Sequence, residues 1–201
     1  MPEPILEVKN LSYATPNGSV LASHIDFQLN RGDLIAVSGE NGSGKTSLIH
    51  TLLGFRQPRN GEINCSIPKT AIAYLPQVQD NDFHIPVSIS DVIQMAFSKS
   101  VSSDQITNIG LLQERHFSLK WNTASGGEKR RALLTRLILK KPVMLILDEP
   151  FNHLDVESKE AILRLLKQFI AEKTMGIILV SHDPLVKDHF PDLVEVNIGD
   201  K

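Results

Sequence analysis

Gly39-Glu40-Asn41-Gly42-Ser43-Gly44-Lys45-Thr46 fits the pattern G-x-x-x-x-G-K-[ST]. It follows a short apolar run, Leu34-Ile35-Ala36-Val37, and opens a segment of helical character, Lys45–Leu53. A triphosphate carries several negative charges and needs many donors in a small space. Glycines at 39, 42 and 44 let backbone N–H groups turn inward without Cβ clashes. A helix start adds further N–H groups and a favourable dipole. Lys45 reaches the β- and γ-phosphates as a compact cation, and the Thr46 hydroxyl is a magnesium ligand. Ser47 stands one residue further on, placed to donate to an inner phosphate. Gly39, Asn41, Gly42, Ser43, Gly44, Lys45, Thr46 and Ser47 are therefore the expected nucleotide cradle.

The flanking pattern predicts an α/β fold with a mostly parallel sheet and helices on both faces. Ile5–Tyr13 and Val20–Leu29 read as an antiparallel pair turning at Pro16-Asn17-Gly18. Gly54 closes the helix after the cradle. Pro58-Arg59-Asn60-Gly61 reads as a turn before strands near Glu62–Ile67 and Ala71–Leu75. The pattern becomes more polar and helical from Pro76 to about Ala124, with helices expected over Ile89–Phe97 and Ser103–Glu114. This predicts a helical lobe inserted in the core at about residues 78–135, within a single domain spanning 1–201. A helix over Glu128–Lys140, a buried strand over Val143–Leu147, an amphipathic helix over Val156–Ile170, a strand over Gly176–Val180 and an edge strand over Leu193–Ile198 complete the order. No internal repeat or low-complexity tract is visible.

The strand at Val143–Leu147 runs into Asp148-Glu149, two carboxylates at the edge where ligands of such sheets bind. Asp148 is expected in the magnesium shell. Glu149, one residue on, points differently and is placed to orient or deprotonate an attacking water. His182, of the seven histidines, closes the strand Leu179-Val180-Ser181 and is expected near the γ-phosphate as a hydrogen-bond donor.

Bulk properties bound the setting. Lys plus Arg is 21 and Asp plus Glu is 23, a formal net charge of −2. That balance argues against a nucleic-acid binder, so Lys129-Arg130-Arg131 reads as a solvated helix face. The single cysteine, Cys65, cannot form an internal disulfide; it reads as a small buried hydrophobe in a reducing compartment. The first residues, Met1-Pro2-Glu3-Pro4, show no signal peptide, and no apolar stretch approaches the ~18 residues of a membrane span. The expected location is cytoplasmic, with any membrane contact made through a partner.

Together these residues resemble the nucleotide-binding subunit of ATP-binding cassette (ABC) transporters, over nearly the whole chain from Leu6 to Ile198. The most discriminating match is the signature Ala124-Ser125-Gly126-Gly127-Glu128, which other P-loop enzymes lack. The resemblance implies that Gln77 is a switch residue touching magnesium or water, that His182 is the histidine switch, and that Tyr13 stacks on adenine. It also implies that Asn152-His153-Leu154-Asp155 contacts a second subunit. Ser125, Gly126, Gly127 and Glu128 would cap the terminal phosphate held by that subunit, in a head-to-tail dimer with ATP as the glue. Three positions depart from the family pattern: Ala124 stands where Leu is usual, Glu128 where Gln is frequent, and Phe151 where Thr is common.

The resemblance further implies ATP and Mg²⁺ as cofactors, ATP hydrolysis as the reaction, and integral membrane permease subunits as partners, with a solute-binding protein in a complete uptake system. It places the chain on the inner face of the membrane. Within the family, Asp82–Ile93 is similar to the start of the helical lobe in manganese, zinc and iron-chelate uptake ATPases. An alternative is a soluble ATPase of the same type acting on ribosomes or DNA, although those proteins resemble two fused cassettes or carry coiled-coil inserts. A P-loop kinase or GTPase has no use for the signature.

Overall fold

Among the described residues, eight strands and six helices are arranged around two sheets. The computed structural model describes residues 3–14, 20–77 and 84–198. The expected turn at Pro16-Asn17-Gly18, and Asp82 and Phe83 of the lobe entry, lie outside the described residues. A three-stranded antiparallel sheet has the order β2-β1-β4, with β1 Leu6–Ala14, β2 Val20–Leu29 and β4 Asn60–Cys65. A five-stranded sheet has the order β5-β6-β7-β3-β8 and is parallel throughout. Its strands are β3 Leu34–Ser38, β5 Ile72–Leu75, β6 Met144–Asp148, β7 Gly176–Val180 and β8 Val194–Asn197.

The two cores follow from strand alternation. Side chains of one strand leave its faces in turn. On β6, Leu145 and Leu147 join Ile162, Leu163 and Leu166 of α5 (Val156–Ala171) and the helical segment. Met144 and Ile146 turn the other way, toward β1, β2 and Leu48 and Ile49 of α1 (Lys45–Leu52). Every residue of β6 and β7 is buried, which is why both read as continuous apolar runs. Each large aliphatic side chain so buried stabilises the fold by roughly 1.5–3 kcal/mol.

Between residue 84 and the signature, the helices are short. α2 runs only Ile89–Gln94, because Ala96 and Phe97 switch to bonds with residues three back. The expected Ser103–Glu114 helix ends as α3 at Thr107; Gly110 then adopts φ +82, a left-handed conformation that turns the chain away. Ser88 and Ser102 start these helices with reciprocal capping boxes. Trp121 is 1% exposed at the centre of this region, and its backbone N–H donates to the Val87 carbonyl at 2.8 Å. α4 spans Gly126–Leu139. A sixth helix, α6 Leu185–His189, was not legible in the sequence; it is barely more than one turn.

Cys65 corrects its expectation. It is exposed, at the end of β4, where five of the strand's six residues face solvent.

Trp121→Ala is expected to lower stability by about 3–5 kcal/mol, the usual cost of truncating a buried aromatic. Urea unfolding followed by circular dichroism measures it; a loss under about 1 kcal/mol would show that the tryptophan does not anchor this region.

Candidate functional site

The cradle joins β3 to α1. Gly39 has φ +141, and a Cβ there would collide with the Ile198 carbonyl oxygen and come within 2.7 Å of Ser43 Oγ. Gly44 precedes α1 with φ +105, so the first helical N–H groups face the cleft without an intervening side chain. Lys45 is buried under the loop, and its Nζ donates to the carbonyls of Gly39 and Glu40, both at 2.8 Å. Ser43 Oγ is buried with no hydrogen-bond partner among the described residues. A buried polar atom of that kind fits an oxygen-rich ligand.

Thr46 ties the cradle to the strand end. Its Oγ1 donates to Asp148 Oδ2 at 2.9 Å. Asn41, Lys45, Thr46, Gln77, Asp148 and Glu149 all line one cleft of about 440 Å³. Thr46, Asp148 and Gln77 offer a hydroxyl, a carboxylate and an amide on that cleft, an all-oxygen donor set suited to Mg²⁺. Ser47 also lines it, and its Oγ accepts from Arg56 Nη1 at 3.0 Å.

Electrostatics set the two carboxylates apart from ordinary ones. Asp148 is 1% exposed, and burial pushes its carboxyl up, opposed by the Thr46 hydroxyl and then by Arg130, His50 and Lys45. Burial also raises Glu149, opposed by His182 and reinforced by the charge of Asp148. Glu149 adopts φ +48, which swings its side chain off the strand line, while its N–H donates to the Val180 carbonyl at 2.9 Å. His182 Nε2 lies 3.6 Å from Glu149 Oε1, so the ends of β6 and β7 bring the glutamate and the histidine together.

The signature lies elsewhere. Ser125 is the N-cap of α4, and Ser125 and Gly126 are exposed. None of Ser125, Gly126, Gly127 and Glu128 lines the cleft. The Glu128 carboxylate acts locally. Its Oε2 accepts from the Ser125 N–H and Oγ, each at 2.8 Å, while its own N–H donates to Ser125 Oγ at 3.2 Å. Those bonds hold its carboxyl below the usual range.

Two expectations are corrected. Tyr13 is 1% exposed and packs with Leu11, Leu48 and Ile49 between the sheets, so it has no free face for a base. A register shift between Val8 and Leu11 turns Leu11 and Tyr13 inward together; Leu21 of β2 reaches the cleft instead. The basic run is not a solvated face. Arg130 is 8% exposed and donates to the carbonyls of Pro76 (2.6 Å), Gln77 (3.3 Å), Asp148 (2.6 Å) and Glu149 (2.8 Å). Arg131 Nη1 donates to Ser158 Oγ at 2.6 Å, and Lys129 Nζ sits 5.7 Å from the Trp121 ring centroid. Arg130 was missed because charge alone reads as solvent-facing and its partners lie 18 to 54 residues away in sequence.

Known proteins resemble this chain in sequence and fold. The chelated iron transport system membrane protein YfeB of Yersinia pestis is 32% identical over 198 residues, covering 89% of this chain and 66% of that protein. The zinc import ATP-binding protein ZnuC 1 of Hahella chejuensis is 31% identical over 182 residues, covering 90% of this chain and 70% of that protein. This chain thus spans about two thirds of the length of these relatives. A metal-chelate type ABC transporter solved in an inward-facing conformation superposes with a TM-score of 0.79 at 25% identity, over 98% of this chain and 80% of that one. The sequence matches the ABC transporter family over residues 22–152, and with the cradle, the strand-end carboxylates and these relatives it follows that the chain belongs to that family.

Proposed function

We propose that the chain is the ATP-hydrolysing subunit of a membrane transporter for metal ions or metal chelates, working as a head-to-tail pair on permease subunits. One observation carries the reading: the Thr46–Asp148 hydrogen bond closes a single cleft in which Lys45, Gln77 and Glu149 also converge. The metal lean is supported by the iron-chelate and zinc proteins it resembles. No observation favours the soluble alternative acting on ribosomes or DNA. No described helix is long and apolar enough to cross a membrane, so contact with one falls to permease subunits. A solute-binding protein and a place on the inner membrane face belong to the same proposal.

In this reading the cradle N–H groups, Ser43 and Ser47 hold the phosphates, and Lys45 leaves its loop carbonyls to reach the β- and γ-oxygens. Thr46, Asp148 and Gln77 would hold a magnesium ion, which would supply charge neutralisation on the phosphates. Glu149 orients the attacking water and takes its proton. His182, across from Glu149, donates to the γ-phosphate. Ser125, Gly126 and Gly127 of the second copy complete the pocket.

Glu149→Gln is expected to keep ATP binding and to lower kcat by about 10²–10⁴. The ATP-bound dimer then accumulates, read by size-exclusion chromatography with Mg-ATP. A variant that hydrolyses ATP at the wild-type rate sinks the assignment of the base.

The pH dependence has a definite sign. The base must be ionised, and burial raises Glu149 above its ordinary 4.5. The acidic limb of kcat/KM is therefore expected above pH 4.5, the reference value of the group. A rate–pH profile, with circular dichroism showing the fold intact throughout, checks it; a limb at or below that value contradicts the buried base.

A further inference from the structure

We propose that Arg130 is a positioning residue for hydrolysis, holding the free ends of β5 and β6 so that Gln77 and Glu149 address the same terminal phosphate. The inference rests on the ATPase reading above.

The argument begins where the sheet stops. The β5–β6 ladder ends at the pair Leu75–Leu147. The next residue on β5 is Pro76, which has no N–H and cannot extend the ladder. Asp148 pairs onward only with Val180 of β7, on its other side. Gln77 and Glu149 thus sit just past the last rung between their strands, on backbones the sheet no longer holds together.

The Arg130 guanidinium lies across that gap. Nη1 donates to the Pro76 and Gln77 carbonyls, and Nη2 donates to those of Asp148 and Glu149. All four acceptors are backbone atoms, two from each strand, so the group fixes backbone positions and not side-chain charge. A rigid planar fork is suited to this; a lysine ammonium presents its donors from a single point and cannot span both strands in the same geometry. Burial of the arginine, at 8% exposure, keeps water from competing for the same carbonyls. Arg130 does not line the cleft, so its action on the chemistry runs through Gln77 and Glu149. It is also carried on α4, five residues beyond Ser125 or about 7.5 Å along the helix axis. The element that presents the signature therefore also positions this chain's own base.

Arg130→Lys and Arg130→Gln in the full chain test this, by steady-state ATP hydrolysis, binding of a fluorescent ATP analogue and thermal melting. Both variants are expected to lose about ten-fold or more in kcat, with KM and analogue affinity within about three-fold of wild type. Arg130→Lys is expected to lower the rate of Glu149→Gln by a smaller factor than it lowers that of the wild type, since part of its effect runs through Glu149; an equal factor in both backgrounds overturns the inference. A kcat within about two-fold of wild type overturns the inference, as does loss of affinity in step with kcat. If neither variant melts cooperatively, Arg130 is a determinant of the fold and the inference falls. A wild-type chain that binds the analogue but never hydrolyses ATP removes the ATPase reading beneath it. An active wild type with equally active Arg130 variants removes the inference alone.

Discussion

Two adjacent carboxylates, Asp148 buried and Glu149 half-buried, stand at the end of β6, and the site is built around that cost. Taking an ionised carboxylate out of water is unfavourable unless hydrogen bonds and opposite charge replace its hydration. Asp148 receives the Thr46 hydroxyl at 2.9 Å and has the cations Arg130 and Lys45 nearby. Even so, both groups remain raised, with burial the largest cause for each. Desolvation wins over the compensation the chain supplies. For Asp148, the proposed magnesium ion would offset part of that cost. For Glu149, a raised value brings the carboxylate proposed as the base closer to neutral pH, where proton transfer is most effective.

The topology makes this pair reachable. Strand β7 lies between β3 and β6, so the cradle strand and the carboxylate strand are two sheet spacings apart, roughly 10 Å. Helix α1 starts at the end of β3, and its second residue, Thr46, closes that span by bonding Asp148. Because all five strands are parallel, their C-terminal ends meet at one edge. Cradle, glutamine, carboxylates and histidine come from four strand ends at that edge. An antiparallel strand in the middle of the sheet would have sent one of them to the opposite side.

The sequence carried this frame well where local chemistry decides structure. β7 was legible to the residue, because a fully buried parallel strand is a bounded apolar run. The cradle was legible because glycine spacing and a helix start are local. What was not legible depended on distant partners. Tyr13 looked available until a register shift in β1 turned it inward with Leu11. Arg130 looked solvated because nothing within a few residues of it shows that Pro76 and Glu149 converge over its helix. Cys65 carried a general preference for burial that an outward-facing strand overruled. The short helices before the signature failed for a subtler reason: helical pattern alone does not show that Gly110 takes a left-handed turn.

The signature tip presents a last electrostatic question. An anion docks at the start of a helix because the first N–H groups are unpaired and the dipole is positive there. In α4 one of those donors, the N–H of Glu128, is already bound to Ser125 Oγ. The Glu128 carboxylate folds back on Ser125 and brings a negative charge to the same end. A phosphate approaching Ser125 therefore meets a tip that is part neutralised, where the glutamine frequent at this position would leave the dipole uncompensated. The capping box steadies α4 and, with it, Arg130; in the proposed head-to-tail pair the same carboxylate would weaken the attraction for a second copy's nucleotide. Stability of the helix and strength of the reciprocal contact are thus set against each other at one residue, which makes Glu128 the departure from the family pattern with the most direct physical consequence.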